Sequence, residues 1–351
     1  MSELFAFVFP GQGSQAVGMG ADVYRASPAA RAVFEAADAA LGFPLSTLCF
    51  EGPEEQLRAT LNTQPVIVAT SLALLAALQE AASLDSSSTG TEPRLGTPLA
   101  PAYVAGHSVG EYAALTAAGA LDLADALRLV RERGRLMHEA GVACPSGMAA
   151  VLGMDRATLD AVCEEATRLA RVELEQPPAG PDNPPGVATV VVANDNAPGQ
   201  LVLSGGRRAL DIAMDLAKAR GAKRVVPLPV SGAFHSPVMA PAAAALASVV
   251  AGAPIHDARI PIISNIGAVP LTDAADLKSE LARQIESPVQ WTRTVEYLAG
   301  QGVTTFVEIG PGQVLSGLIK RIVRGAAPVA LSMSTAQDIG VVAQQLRAGS
   351  E

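Results

Sequence analysis

Short, wholly apolar runs that stop near a glycine and give way to a helical pattern are the feature that most narrows the fold. Leu4–Phe9 is one such run, closed by Pro10 and by a loop at 11–13 too glycine-rich to extend a strand. Residues 102–105 form another, running into Gly106 before a helical pattern resumes at 111–118, and 305–309 form a third, feeding Gly310-Pro311-Gly312 and a further helix. Helical periodicity over 27–41, opened by a Ser-Pro pair, and over 64–81 separates the first two runs. Fully apolar strands alternating with helices predict an α/β fold around a parallel sheet buried on both faces. Between Gly147 and Val230 the order changes to strand (148–152), helix (156–171), two strands (187–193 and 200–204), helix (207–220) and strand (224–229). That βαββαβ order predicts a ferredoxin-like unit inserted into the larger domain. The implied division is a large subdomain at 1–146 and 231–351, a small one at 147–230, and surface loops at 83–101 and 175–186, both rich in Ser, Gly or Pro.

Composition limits the partners. The chain has 351 residues, enough for two domains' worth of core, and is 49% hydrophobic with only 8 Phe, 4 Tyr and a single Trp, so aliphatic and alanine side chains must fill it. A net charge of −9 argues against nucleic acid. Cys49, Cys144 and Cys163 are odd in number and far apart, which predicts neither a disulfide framework nor a zinc site. The N-terminus lacks the basic region of a signal peptide, and the longest apolar stretches, at 66–78 and 240–253, fall short of the roughly 20 residues a membrane span needs. A soluble, cytoplasmic protein, expected as a monomer, follows.

Gly106-His107-Ser108-Val109-Gly110 is a GxSxG between a predicted strand and a predicted helix, the context of a nucleophile elbow. Glycines flank the serine because the turn leaves no room for Cβ atoms, and the helix N-terminus turns N–H groups toward a developing oxyanion. A serine hydroxyl needs a base, and only four histidines are available. His107 adjoins the nucleophile and should point elsewhere; His138 and His256 have polar, solvent-like neighbours. His235, in a loop between strand and helix, is favoured. Gly11-Gln12-Gly13-Ser14-Gln15-Ala16 formally matches a dinucleotide fingerprint, but the acidic residues that should close a second strand, Glu35 and Asp38, lie in a helix. Such a loop can instead donate a backbone N–H to an oxyanion. Arg131, Arg133 and Arg135 share one helix and point in different directions, so at most one or two face a cleft.

The segments 7–15, 106–111, Arg133-Gly134 with Met137, 232–237, 288–291 and 308–312 resemble, in that order, the malonyl-CoA:acyl carrier protein transacylase family. The resemblance covers nearly the whole chain, and only the two long loops depart from compact members. It implies an α/β-hydrolase-like large subdomain with a ferredoxin-like small one. Malonyl-CoA and the phosphopantetheine thiol of acyl carrier protein are the implied substrates, a malonyl-serine the implied intermediate, and no cofactor is implied. Ser108 is then the acylated serine, His235 the base, and Gln12 and Val109 the backbone oxyanion donors. Arg133 binds the malonyl carboxylate, with Met137 beside it. Asn194 and Asn196 face the cleft from the small subdomain, and Phe234 resembles the family form that excludes an α-methyl group. Gln290 is the expected source of a carbonyl that orients the histidine.

Competing readings are a serine esterase or thioesterase of α/β-hydrolase type, which would normally place its histidine later, and a non-catalytic carrier-binding scaffold. A patatin-like hydrolase is disfavoured because the chain has no Asp-Gly pair. For docking an acidic carrier protein, two basic stretches qualify: Arg207, Arg208, Lys218, Arg220, Lys223 and Arg224; and Lys320, Arg321 and Arg324.

Overall fold

The computed structural model describes residues 4–84, 99–174, 186–323 and 328–348. Strand β1 (Leu4–Phe9) leads into helices α1 (Ala21–Ala26), α2 (Pro28–Leu41), α3 (Leu45–Glu51), α4 (Glu54–Arg58) and α5 (Thr60–Leu84). Next come β2 (Tyr103–Gly106), α6 (Gly110–Ala117) and α7 (Leu123–Ala143), then β3 (Ser146–Leu152), α8 (Arg156–Glu173), β4 (Val190–Ala197), β5 (Gln200–Gly206), α9 (Arg207–Ala219) and β6 (Arg224–Pro227). The chain continues through a 3-10 turn (Pro237–Met239), α10 (Ala240–Gly252), β7 (Ile262–Ile263), β8 (Pro270–Leu271), α11 (Ala274–Gln284), α12 (Trp291–Gly300), β9 (Val303–Ile309), α13 (Val314–Ile322), β10 (Val329–Met333) and α14 (Ala336–Ala348).

These elements form a mixed α/β protein with two sheets. The larger has the order β10-β9-β1-β2-β7-β8, parallel throughout except for the terminal β7–β8 pair. The smaller, β4-β5-β3-β6, is antiparallel, with α8 and α9 covering one face through Leu159, Val162, Leu210 and Ala213. The foreseen strands and helices are present. β10, at the edge of the large sheet, was not foreseen, because its burial is partial and its apolar signal correspondingly weak.

Local chemistry explains the element ends. Ser27 caps α2 by accepting the Ala30 N–H at 3.0 Å, Pro28 occupies the first turn, and Gly42 closes the helix in the left-handed region. The Glu308 side chain, at the end of β9, accepts the Leu315 and Ser316 N–H groups at 3.0 and 2.7 Å, placing a carboxyl on the N-terminus of α13. Pro65 lies inside α5 and cannot donate to the Leu61 carbonyl. Arg131 of α7 supplies that missing donor at 2.7 Å while its guanidinium lies 4.8 Å from the Phe43 ring centroid.

At 25 residues, α5 is longer than the apolar stretch read from the sequence, and by length and composition it could cross a membrane. Instead 67% of its most apolar window is buried, with Val66, Leu74 and Leu78 in the main core.

Parallel pairing places the ends of three neighbouring strands side by side. Phe9 lies opposite Gly106, and Ala105 opposite Ile263, so the loops after β1, β2 and β7 emerge at one edge of the sheet. In parallel α/β sheets that edge is where ligands bind.

Candidate active site

The turn between β2 and α6 holds Ser108 at φ 52°, in the left-handed region where a residue with a side chain is strained. Two glycines make the turn possible. A Cβ on Gly106 would lie 2.0 Å from the Gly110 carbonyl carbon, and one on Gly110 would lie 2.2 Å from the Phe9 oxygen. The turn is also clamped by Asn265, just past β7. Its Oδ1 accepts the Ser108 N–H at 2.7 Å and its Nδ2 donates to the Gly106 carbonyl at 2.8 Å. Among the described residues, neither the Val109 N–H at the start of α6 nor the Gln12 N–H after β1 donates to another protein group. Both residues line the cleft that contains Ser108.

The histidine arrives from the other side. His235, in the loop between β6 and the 3-10 turn, is buried and also at positive φ, 58°. Its N–H donates to the Ile285 carbonyl at 2.8 Å. Nε2 lies 2.7 Å from Ser108 Oγ, and Nδ1 faces the carbonyls of Gln284 and Ser287 at 2.9 and 3.0 Å. Two carbonyl acceptors at Nδ1 require the proton there, which leaves the Nε2 lone pair toward the serine hydroxyl.

Arg133, on α7, completes the set and is also fully buried. Nη1 donates to Gln64 Oε1 at 2.5 Å, and Nη2 to Gln284 Oε1 at 2.8 Å and to Ser108 Oγ at 3.1 Å. The guanidinium carbon sits 5.6 Å from the Tyr112 ring centroid. Among the described residues Arg133 has no carboxylate partner, and its Nε is buried without an acceptor. A buried cation held by neutral oxygens 3.1 Å from a serine hydroxyl has the chemistry to receive an anionic group.

The cleft between the two sheets has a volume of about 450 Å³. Met137, Phe234, Asn194 and Asn196 line it with Ser108, His235 and Arg133. Register shifts on either side of Asn194 and Asp195 carry β4 past its apolar part, so polar residues belong to a strand that the sequence pattern ends at 193. Asn196 Oδ1 lies 2.8 Å from His107 Nε2, which ties the elbow to the small sheet and turns His107 away from the serine. Burial lowers the pKa of His107.

The acyl transferase domain model matches residues 6–347. The chain belongs to the acyl transferase family. It is 43% identical over 327 residues to the malonyl CoA-acyl carrier protein transacylase of Bacillus subtilis, covering 93% of each chain. To the Escherichia coli K12 protein of the same name it is 41% identical over 332 residues, covering 95% of this chain and 97% of that one. The solved malonyl CoA-acyl carrier protein transacylase of Coxiella burnetii superposes with a TM-score of 0.86 at 35% identity, over 99% of this chain and 98% of its own.

In this acyl transferase Gln290 does not orient the histidine. Its carbonyl accepts the Thr294 N–H in the first turn of α12 and its N–H donates to Asn265, so the orienting carbonyls come from Gln284 and Ser287. Sequence reasoning also missed Gln64, Gln284 and Asn265. Asn265 had a signal, since it follows an apolar run at the same sheet edge as the elbow. Of the three arginines, Arg131 supports α5 and Arg135 pairs with Glu132 and Glu139 at the surface. His138 is half-buried and His256 exposed, and neither lines the cleft.

The first basic stretch is largely committed to local partners: Arg208 pairs with Glu173, Arg220 with Glu165 and Lys218 with Asp215, while Arg207 donates to the Ser146 carbonyl. In the second, Arg321 binds Gln200, Lys320 is exposed, and Arg324 lies outside the described residues. Among those residues no cluster of three His, Cys, Asp or Glu could hold a metal ion.

Burial, reinforced by the Arg133 charge, lowers the His235 pKa from 6.5 to about 3. To act as a base toward Ser108, His235 would have to be neutral, and a lowered pKa keeps it so as pH falls. The second-order rate of Ser108 acylation should therefore stay nearly flat from pH 7 to 5, and a quenched-flow pH profile that halves near 6.5 would contradict this environment for His235.

Proposed function

We propose that the chain transfers the malonyl group of malonyl-CoA to the phosphopantetheine thiol of an acyl carrier protein through a malonyl-Ser108 intermediate. The observation that carries this reading is the buried Arg133, without a carboxylate partner among the described residues, 3.1 Å from the nucleophilic oxygen. Ser108 Oγ attacks the thioester carbonyl as His235 Nε2 takes its proton. The tetrahedral oxyanion is received by the Val109 and Gln12 N–H groups. As the C–S bond breaks, His235 returns the proton to the departing CoA sulfur. The carrier thiol then repeats the steps in reverse order, giving up its proton to His235 and releasing Ser108. One thioester replaces another, so the balance requires no redox group and no external energy source.

Arg133 suits a malonyl carboxylate because its planar fork binds both oxygens and stays charged at any working pH. Phe234 is assigned to exclusion of α-branched acyl groups, and Asn194 and Asn196 to the polar wall facing the substrate arm. The two-sheet organisation supports the finer description of an α/β-hydrolase-like large subdomain with an inserted ferredoxin-like unit, the strand order β4-β5-β3-β6 being the one expected of βαββαβ. The burial of α5 supports its reading as a core helix rather than a membrane span. Lys223, Arg224 and Lys320, exposed and without an ion-pair partner among the described residues, are the residues of the two basic stretches left to meet an acidic carrier.

Incubation with malonyl-CoA and a phosphopantetheinylated acyl carrier protein tests the assignment. Malonyl-carrier should accumulate. Release of free malonate with no carrier product would instead favour the esterase reading.

A further inference from the structure

Gln284 meets all three groups of the proposed reaction at once. Its main-chain carbonyl accepts from His235 Nδ1, its Oε1 accepts from Arg133 Nη2, and its Nε2 donates to the Ser108 carbonyl at 3.1 Å. The remaining Nε2 hydrogen goes to Glu111 Oε2, while Glu111 Oε1 accepts the Asn265 N–H at 3.2 Å. Glu111 lies in the first turn of α6 and is fully buried; its main-chain N–H donates to the Ser108 carbonyl at 3.1 Å, but its carboxyl bonds neither the Ser108 hydroxyl nor His235. An amide can present either end to a neighbour. A cation on one side needs the oxygen there, so the nitrogen end must find acceptors on the other.

We propose that Glu111 is a positioning residue for malonyl recognition: by accepting from Gln284 Nε2 it holds the amide with its oxygen on Arg133 and so fixes the guanidinium where the acyl carboxylate docks. This rests on the transacylase reading above. The acceptor is what matters, not the negative charge. Burial and the neighbouring Glu280 push the Glu111 carboxyl well above the usual carboxylate range, and a neutral carboxyl still offers its carbonyl oxygen to the amide. Without that acceptor one buried amide hydrogen is unpaired, and Gln284 relieves it by turning away from Arg133.

The test compares the second-order rates of Ser108 acylation by malonyl-CoA and acetyl-CoA. Glu111→Met keeps the volume and removes the acceptor. The malonyl-to-acetyl ratio should fall roughly tenfold, the size associated with one hydrogen bond to a charged group. Glu111→Gln retains an acceptor oxygen and should recover most of the ratio. Gln284→Met, which keeps the main-chain carbonyl for His235, should reproduce the fall, and it answers the question on its own if Glu111→Met does not fold. A merely structural role lowers both rates together and leaves the ratio unmoved. An unchanged ratio in the soluble Met variants, or a Glu111→Gln variant as impaired as Glu111→Met, would overturn the proposal. A wild-type enzyme that takes no malonyl on Ser108 would overturn the transacylase reading itself, which separates the two failures.

Discussion

Replacing His235 by Ala should slow acylation of Ser108 by malonyl-CoA by about 10²- to 10⁴-fold, the usual contribution of a positioned general base. The expectation comes from a single contact, His235 Nε2 to Ser108 Oγ at 2.7 Å, in a ring whose other nitrogen is committed to two carbonyls. His107 cannot substitute. Its Nε2 is engaged by Asn196 at 2.8 Å, and its ring lies 5.6 Å from Trp291. Single-turnover kinetics on the His235→Ala variant read the effect directly, and a near-normal rate would move the base elsewhere.

The second large effect belongs to Arg133. In the proposed function the malonyl carboxylate pairs with a guanidinium that is otherwise buried among neutral oxygens. Truncating one partner of such a pair costs about 2–5 kcal/mol, much of it from leaving the other charge unpaired. Arg133→Ala should therefore lower kcat/KM for malonyl-CoA by roughly 10²-fold or more, while acetyl-CoA, which carries no such charge, is spared that loss. The malonyl-to-acetyl ratio of kcat/KM is the decisive quantity. A ratio unchanged from wild type would remove Arg133 from acyl recognition.

What could be read from the sequence was local. The elbow announces itself because Gly106 and Gly110 must be glycines where a Cβ would strike backbone atoms within about five residues or on the adjoining strand. His235 was reachable by elimination among four histidines. Which of three neighbouring arginines enters the cleft was not, since helical spacing separates their directions without saying where the cleft is. That Arg131 answers Pro65 depends on the packing of α7 against α5.

The carbonyls that orient His235 were harder still, because any residue type carries one, and only the chain path through Gln284 and Ser287 selects them over Gln290. Asn265 and Gln284 sit 157 and 176 residues from Ser108 in the chain and reach it only because β7 pairs with β2 and the end of α11 approaches the elbow. The polar end of β4 escaped for a different reason: its register shifts interrupt the alternation that identifies a strand.

The central claim is that Ser108 carries the acyl group between the two thiols, and intact-mass measurement after brief mixing with malonyl-CoA, followed by peptide mapping, tests it most directly. The account predicts a mass gain of one malonyl group, located on Ser108, absent in Ser108→Ala and discharged when phosphopantetheinylated carrier protein is added. A malonyl adduct on any other residue, or turnover that persists in Ser108→Ala, would contradict it.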